Sequence, residues 1–207
     1  MDQNEVRRQW AERSGEFSPE YYAYYGPNES SETVRRLLDR FLDRDASVLE
    51  LGCSSGRHLS HLHDHGFDNL VGIEVNPDAL AVMERTYPDL AAAGTFYLDA
   101  IEDLVGDFDG GQFDAVYSVE TLQHLHPDSA WVFEELARIT GDLLVTVENE
   151  GDDGRSGSDG PVVNYVNDEF PLYYRDWNRV FTELGFVEVE VIPGERDTVR
   201  AFRSTGE

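Results

Sequence analysis

Hydrophobic positions along this chain fall into two kinds of run that alternate from residue 31 onward. Short runs, nearly continuous in Val, Ile, Leu, Phe or Tyr, predict strands at Ser47–Leu51, Leu70–Val75, Gly94–Leu98, Ala115–Val119, Leu143–Glu148, Val187–Ile192 and Val199–Arg203. Continuous apolar character, rather than strict alternation, marks strands covered on both faces. Longer amphipathic stretches predict helices at Ser31–Asp43, Arg57–His65, Pro77–Thr86, Ser129–Thr140 and Leu172–Leu184. Asn76 is placed to cap the third of these, with Pro77 at its first position, and Gly66 and Gly185 stand just past two helix ends. Repeated strand–helix–strand units predict right-handed crossovers and a doubly wound sheet. Only Pro193-Gly194-Glu195-Arg196-Asp197 separates the last two strands, too short a link for a parallel crossover, so they should pair antiparallel. The expected fold class is α/β, a doubly wound, seven-stranded, mostly parallel sheet with a C-terminal antiparallel hairpin.

Two regions lie outside that alternation. Residues 1–30 hold Trp10, Phe17 and the cluster Tyr21-Tyr22-Ala23-Tyr24-Tyr25, and read as an aromatic cap segment. Residues 149–171 read as a Gly/Asp/Ser-rich loop that turns aromatic at Tyr165 and Phe170. Long loops in compact domains are usually functional or mobile. At 207 residues the whole chain, 1–207, reads as a single domain.

The strand tips carry the chemistry. Val48-Leu49-Glu50-Leu51-Gly52-Cys53-Ser54-Ser55-Gly56 is an apolar strand that ends in an acidic residue and a glycine-bearing turn, with a helix following at once. Ligands of open α/β sheets sit where such a strand ends, and glycine lets them approach the backbone. Glu74 ends the second strand, where a carboxylate can accept ribose hydroxyls. Asp99 ends the third and could accept from an exocyclic amine such as that of adenine. A nicotinamide dinucleotide site would need glycine at 54 and glycine or alanine at 57; the chain has Ser54 and Arg57 there, and Glu50 would face the pyrophosphate.

In these residues the chain resembles the class I S-adenosylmethionine-dependent methyltransferases. The family's acidic-x-Gly-x-Gly-x-Gly motif reads Glu50-Leu51-Gly52-Cys53-Ser54-Ser55-Gly56, with Ser54 replacing the middle glycine, and serine there is expected to need an ordinary φ. Glu74 matches its second motif, Leu98-Asp99-Ala100 its third and Phe113-Asp114-Ala115-Val116 its fourth. The resemblance implies a Rossmann-like methyltransferase fold and S-adenosylmethionine as cofactor. It further implies that Gly52, Cys53 and Gly56 line the amino-acid end and that Glu50 holds the amino group. Glu74 with Val75 would take the ribose, Asp99 the adenine amine, and Ala100 with Ile101 the adenine face. Ser118 would approach the sulfonium.

Methyl transfer is an in-line displacement, so positioning and desolvation dominate, and a base is needed only if the acceptor keeps its proton. Candidate catalytic residues are Glu120 and His124, four apart after the fourth strand, with a packing role open for His124; His126 before Pro127 reads as a turn residue. Aromatic residues at 21, 22, 24 and 25 either cover a cationic or aromatic ligand or anchor the N-terminal segment. His61 and His65 share the i, i+4 spacing of metal ligands, but no cysteine or carboxylate pattern accompanies them, and no metal is expected. Arg57 either reaches the cofactor carboxylate or pairs with surface acids.

Composition then narrows the setting. There are 42 acidic and 16 basic residues, a formal net charge of −26, and every basic residue is arginine. Such a surface repels nucleic acid and anionic membranes. Carboxylate-rich, lysine-free surfaces suit very high salt, which screens their self-repulsion, so a halophilic source is expected. Cys53 alone excludes an internal disulfide and fits a reducing cytoplasm. The first thirteen residues lack the apolar core of a signal peptide, and no apolar run would span a bilayer. The expected activity is methyl transfer to a small-molecule acceptor. A protein side chain as acceptor, or a non-catalytic cofactor-binding role, remains as the alternative.

Overall fold

The computed structural model describes residues 2–151, 161–167 and 170–206. Three helices precede the first strand: α1 (Gln3–Ala11), α2 (Pro19–Tyr25) and α3 (Glu29–Phe41). Each begins where a short polar side chain can accept from the first turn. Asp2 accepts from Glu5 N, Ser18 from Tyr21 N, and Asn28 forms a reciprocal capping box with Ser31. The sheet units follow as β1 (Val48–Leu51), α4 (Arg57–Asp64), β2 (Leu70–Glu74), α5 (Asp78–Thr86), α6 (Pro88–Ala93) and β3 (Thr95–Leu98). Then come α7 (Ile101–Leu104), β4 (Phe113–Val119), α8 (Val132–Ile139) and β5 (Thr140–Glu148). A hairpin of β6 (Val162–Val166) and β7 (Phe170–Tyr174) leads into α9 (Trp177–Glu183), β8 (Phe186–Pro193) and β9 (Thr198–Ser204).

The main sheet has seven strands in the order β3-β2-β1-β4-β5-β9-β8. Strands β1 to β5 pair parallel, while β9 pairs antiparallel with both β5 and β8. Alternate residues of the central strands feed two cores. Val48, Ala115 and Val145 pack with Val34, Leu38 and Leu59 of α3 and α4. Leu49, Val116 and Leu144 pack with Phe133, Trp177 and Phe181 of α8 and α9. Burial on both faces is why these strands read as unbroken apolar runs.

Several expectations need correction. The helix predicted over Leu172–Leu184 starts only at Trp177, because Asp176 caps it by accepting from Arg179 N. Residues 172–174 belong to β7, which is buried over Phe170–Tyr173 and whose apolar and aromatic side chains suit a pleated strand. The predicted loop 149–171 therefore contains β6 and the start of β7; its residues 152–160, 168 and 169 lie outside the described residues. The helix predicted from Ser129 starts at Val132 after a 3-10 turn at Pro127–Ser129, and Thr140 opens β5. Asn76 does accept from Asp78 N, but the helix begins at Asp78 rather than Pro77. Among the described residues, no helix is long and apolar enough to cross a membrane.

Candidate functional site

The chain winds from β1 outward to β2 and β3, and in the other direction to β4 and β5. The crevice beyond the C-terminal ends of β1 and β4 is thus the switch point at which open α/β sheets bind ligands. A cavity lies there. Of the residues singled out from the sequence, Gly52, Cys53, Glu74, Val75, Asp99, Ala100, Ile101, Glu120 and His124 line it together. Glu50, Gly56 and Ser118 are not in the cavity wall. Glu50 and Ser118 are each only 1% exposed, and the Ser118 hydroxyl donates to Glu148.

Gly52 has φ +67°, and a Cβ there would stand 2.4 Å from Thr121 Oγ1. Ser54 adopts φ +48°, correcting the expectation of an ordinary φ. The turn keeps the left-handed geometry that glycine would take there, and serine bears the strain. Glu74 holds this turn in place. Its Oε2 accepts Ser54 N at 2.7 Å, and its Oε1 accepts Val75 N and Asn76 N at 2.8 Å each. A carboxylate offers about four lone-pair sites, so this conformation leaves Glu74 capacity for one further donor rather than two. Burial raises its pKa, against the pull of those three N–H groups. Glu50 is raised well above the usual carboxylate range, first by burial and then opposed by Tyr117 and Arg57 nearby. Its Oε2 has no hydrogen-bond partner among the described residues.

Beyond β4 the backbone turns sharply at Glu120, a non-glycine residue at φ +53°. Its carboxylate meets Arg196, from the β8–β9 turn, at 3.1 Å. His124 Nδ1 lies 2.9 Å from the carbonyl of Pro171. A carbonyl only accepts, so Nδ1 carries the proton and Nε2 the lone pair. Burial lowers the His124 pKa to about 4, so the ring is neutral at pH 7.

Two functional-site residues were missed in the sequence. Glu148, at the tip of β5, is fully buried and accepts the N–H groups of Thr121, Leu122 and Gln123 at 3.1 to 3.2 Å as well as the Ser118 hydroxyl. Arg175 donates to the carbonyls of Leu122 at 3.2 Å and Leu125 at 2.6 Å. One residue grips the amide side of the turn that carries His124, and the other grips the carbonyl side. An acidic strand tip at 148, by analogy with 50, 74 and 99, was the available signal for the first. Nothing local marks the second.

The N-terminal segment forms the cavity's outer wall with Val6, Arg7, Trp10, Phe17 and Tyr22. Asn76 fastens it by donating Nδ2 to the carbonyls of Trp10 (3.2 Å) and Arg13 (3.1 Å). Trp10 stacks on Phe170 with centroids 4.4 Å apart and packs against the His124 ring at 4.7 Å. His61 faces Glu32 at 3.0 Å and packs against His65 with ring centroids 4.4 Å apart.

Residues 48–142 match a family model described as a methyltransferase domain. A stretch of 53 residues is 40% identical to the dTDP-3-amino-3,6-dideoxy-alpha-D-glucopyranose N,N-dimethyltransferase of Streptomyces fradiae, over 26% of this chain and 20% of that protein. Another comparison, with EEF1A lysine methyltransferase 2 of Mus musculus, gives 33% identity over 57 residues, 28% of this chain and 23% of that protein. The matched stretches thus span less than a quarter of these curated relatives. Among solved structures, geranyl diphosphate C-methyltransferase from Streptomyces coelicolor A3(2) superposes with a TM-score of 0.70 at 12% identity, over 98% of each chain. At that identity the similarity establishes a shared fold.

Proposed function

We propose that this chain is a class I methyltransferase that transfers a methyl group from S-adenosylmethionine to a small-molecule acceptor, a reading supported by its fold and by the methyltransferase-domain match over residues 48–142. The observation that carries this reading is the row of carboxylates at consecutive strand tips, Glu50, Glu74 and Asp99, around a glycine turn at the switch point. The donor set fits the cofactor. Glu50 Oε2, behind the cavity wall, is a buried acceptor with no partner among the described residues, which an ammonium group in the cavity would reach through water. Gly52 lines the cavity at a positive φ, and having no Cβ it lets the Thr121 side chain pack against its backbone. Glu74 and Asp99 accept from ribose and adenine, with Ala100 and Ile101 as the apolar wall. When bound, the cofactor supplies an electrophilic methyl group on a sulfonium.

The chain's own residues then orient the acceptor and exclude water. His124, neutral and fixed by Pro171, offers Nε2 as a hydrogen-bond acceptor for an N–H or O–H of the acceptor. Glu120, paired with Arg196, supplies charge rather than a free base. A small acceptor is favoured because side chains of the N-terminal segment, among them Val6, Trp10, Phe17 and Tyr22, wall the cavity and Asn76 fastens that segment there. Calorimetry with S-adenosylhomocysteine tests the cofactor site. Binding is expected, and Glu74→Ala should weaken it more than tenfold, since one lost hydrogen bond to a charged group costs about 1.5–3 kcal/mol. Thermal unfolding of the variant checks that the 52–56 turn survives. No binding to the folded wild-type protein would sink the assignment, and preferential NAD binding would replace it.

A further inference from the structure

We propose that Arg57 is a carboxylate-binding site inside the cavity, an inference that rests on the methyltransferase reading for the ligand's identity but not for its chemistry. With 42 carboxylates to 16 arginines, an arginine of this chain rarely lacks a partner. Arg7, Arg138, Arg196, Arg200 and Arg203 each reach one. Arg57 lines the cavity beside Gly52, Cys53 and Ser54, yet among the described residues no carboxylate comes within the 4.0 Å of an ion pair. Glu50, whose titration Arg57 influences, is not within that distance either.

The guanidinium is nevertheless held. Its Nε donates to His58 Nε2 at 3.2 Å, and His58 Nδ1 lies 2.7 Å from Ser31 Oγ, which is 3.2 Å from Asn28 Oδ1. This relay needs His58 neutral, with the proton on Nδ1, and burial, with the positive charge of Arg57 and His61 nearby, favours that state. From the other side, the Tyr22 ring lies 4.6 Å from the Arg57 guanidinium carbon. Bracing through Nε and the ring face leaves the Nη1 and Nη2 fork without a protein acceptor among the described residues. Two parallel N–H donors on a fixed plane match a carboxylate. The other acidic wall residues, Glu74, Asp99, Glu102 and Glu120, repel an anion, and Arg7 is already paired with Asp103. The cavity is therefore polarised, cation-seeking except at Arg57. A carboxylate placed there belongs either to the amino-acid end of the cofactor or to the acceptor.

The test compares wild type, Arg57→Gln and Arg57→Lys by calorimetry with S-adenosylhomocysteine and with 5′-methylthioadenosine, which lacks the amino-acid moiety. If the cofactor supplies the carboxylate, Arg57→Gln loses about ten- to a hundredfold for the first ligand and nothing for the second, with Arg57→Lys between. If the acceptor supplies it, neither nucleoside is affected, and the protein saturated with S-adenosylhomocysteine takes up benzoate in wild type but not in Arg57→Gln. Equal loss of both nucleosides would make Arg57 a structural residue and overturn the proposal. So would unchanged nucleoside binding without benzoate uptake. Wild-type protein that binds neither nucleoside fails the methyltransferase reading instead. Benzoate uptake by the free protein, lost in Arg57→Gln, would still support the carboxylate site in that case, and its absence would overturn it.

Discussion

Replacing Glu148 by glutamine should flatten the pH dependence of stability. Burial raises the Glu148 carboxyl from 4.5 to about 7 in the folded state, against the hydrogen bonds from Ser118, Gln123, Leu122 and Thr121 that favour its charged form. The folded protein thus binds this proton more tightly than the unfolded chain does. The resulting stability is fully present below pH 4.5 and is lost as pH rises through about 7. At about 1.4 kcal/mol per pKa unit, that interval is worth roughly 3 kcal/mol. A glutamine side chain carries no such titrating proton. Urea unfolding from pH 4.5 to 8 at constant salt should therefore show the gap between wild type and Glu148→Gln closing by roughly 3 kcal/mol as pH rises, at unchanged m. Asp197, raised to about 6, titrates in the same direction, and His124, lowered to about 4, in the opposite one. Both are present in each protein and cancel in the difference. Parallel curves would refute the reasoning: they would mean that four donors outweigh burial and keep Glu148 ionised throughout.

Gly52→Ala should abolish S-adenosylhomocysteine binding, measured by calorimetry, and lower thermal stability. A Cβ 2.4 Å from Thr121 Oγ1 must displace that side chain, and a non-glycine residue at φ +67° adds roughly 1 kcal/mol of strain. Asn76→Ala removes the two hydrogen bonds that hold the carbonyls of Trp10 and Arg13 across the cavity. Amide exchange within α1 should rise several-fold while exchange in β1 and β4 stays unchanged; equal protection in both proteins would show that aromatic packing alone holds the segment.

Much of the framework was legible because burial on both faces leaves a local signature. Ser47–Leu51, Leu70–Val75 and Ala115–Val119 read as strands from their apolar runs, within two residues of the observed bounds, and the short link at 193–197 announced the antiparallel pair. Where burial is one-sided, that signal weakens. β6 exposes most of its residues; β7 is buried over Phe170–Tyr173, and there the apolar run continues toward the following helix, the two being separated only by the Asp176 cap. Acidic tips at 50, 74 and 99 were visible for the same local reason, each lying at or next to the end of an apolar run.

What the chain's order of residues determined by itself is the doubly wound sheet, the glycine turn and the acidic strand tips. These follow from interactions within a strand or across a single turn. Tertiary structure decided the rest. Residues 120 and 196 become partners only because the β8–β9 turn returns to the tip of β4. His124 is neutral because it is buried, and its tautomer is set by a carbonyl 47 positions away. Arg57 was ambiguous as a letter, either a surface partner for acids or a ligand for an anion. Packing placed its guanidinium on Tyr22 and against His58, out of reach of every described carboxylate. Charge pairing and desolvation depend on distance in space, and no local pattern of residues encodes that distance.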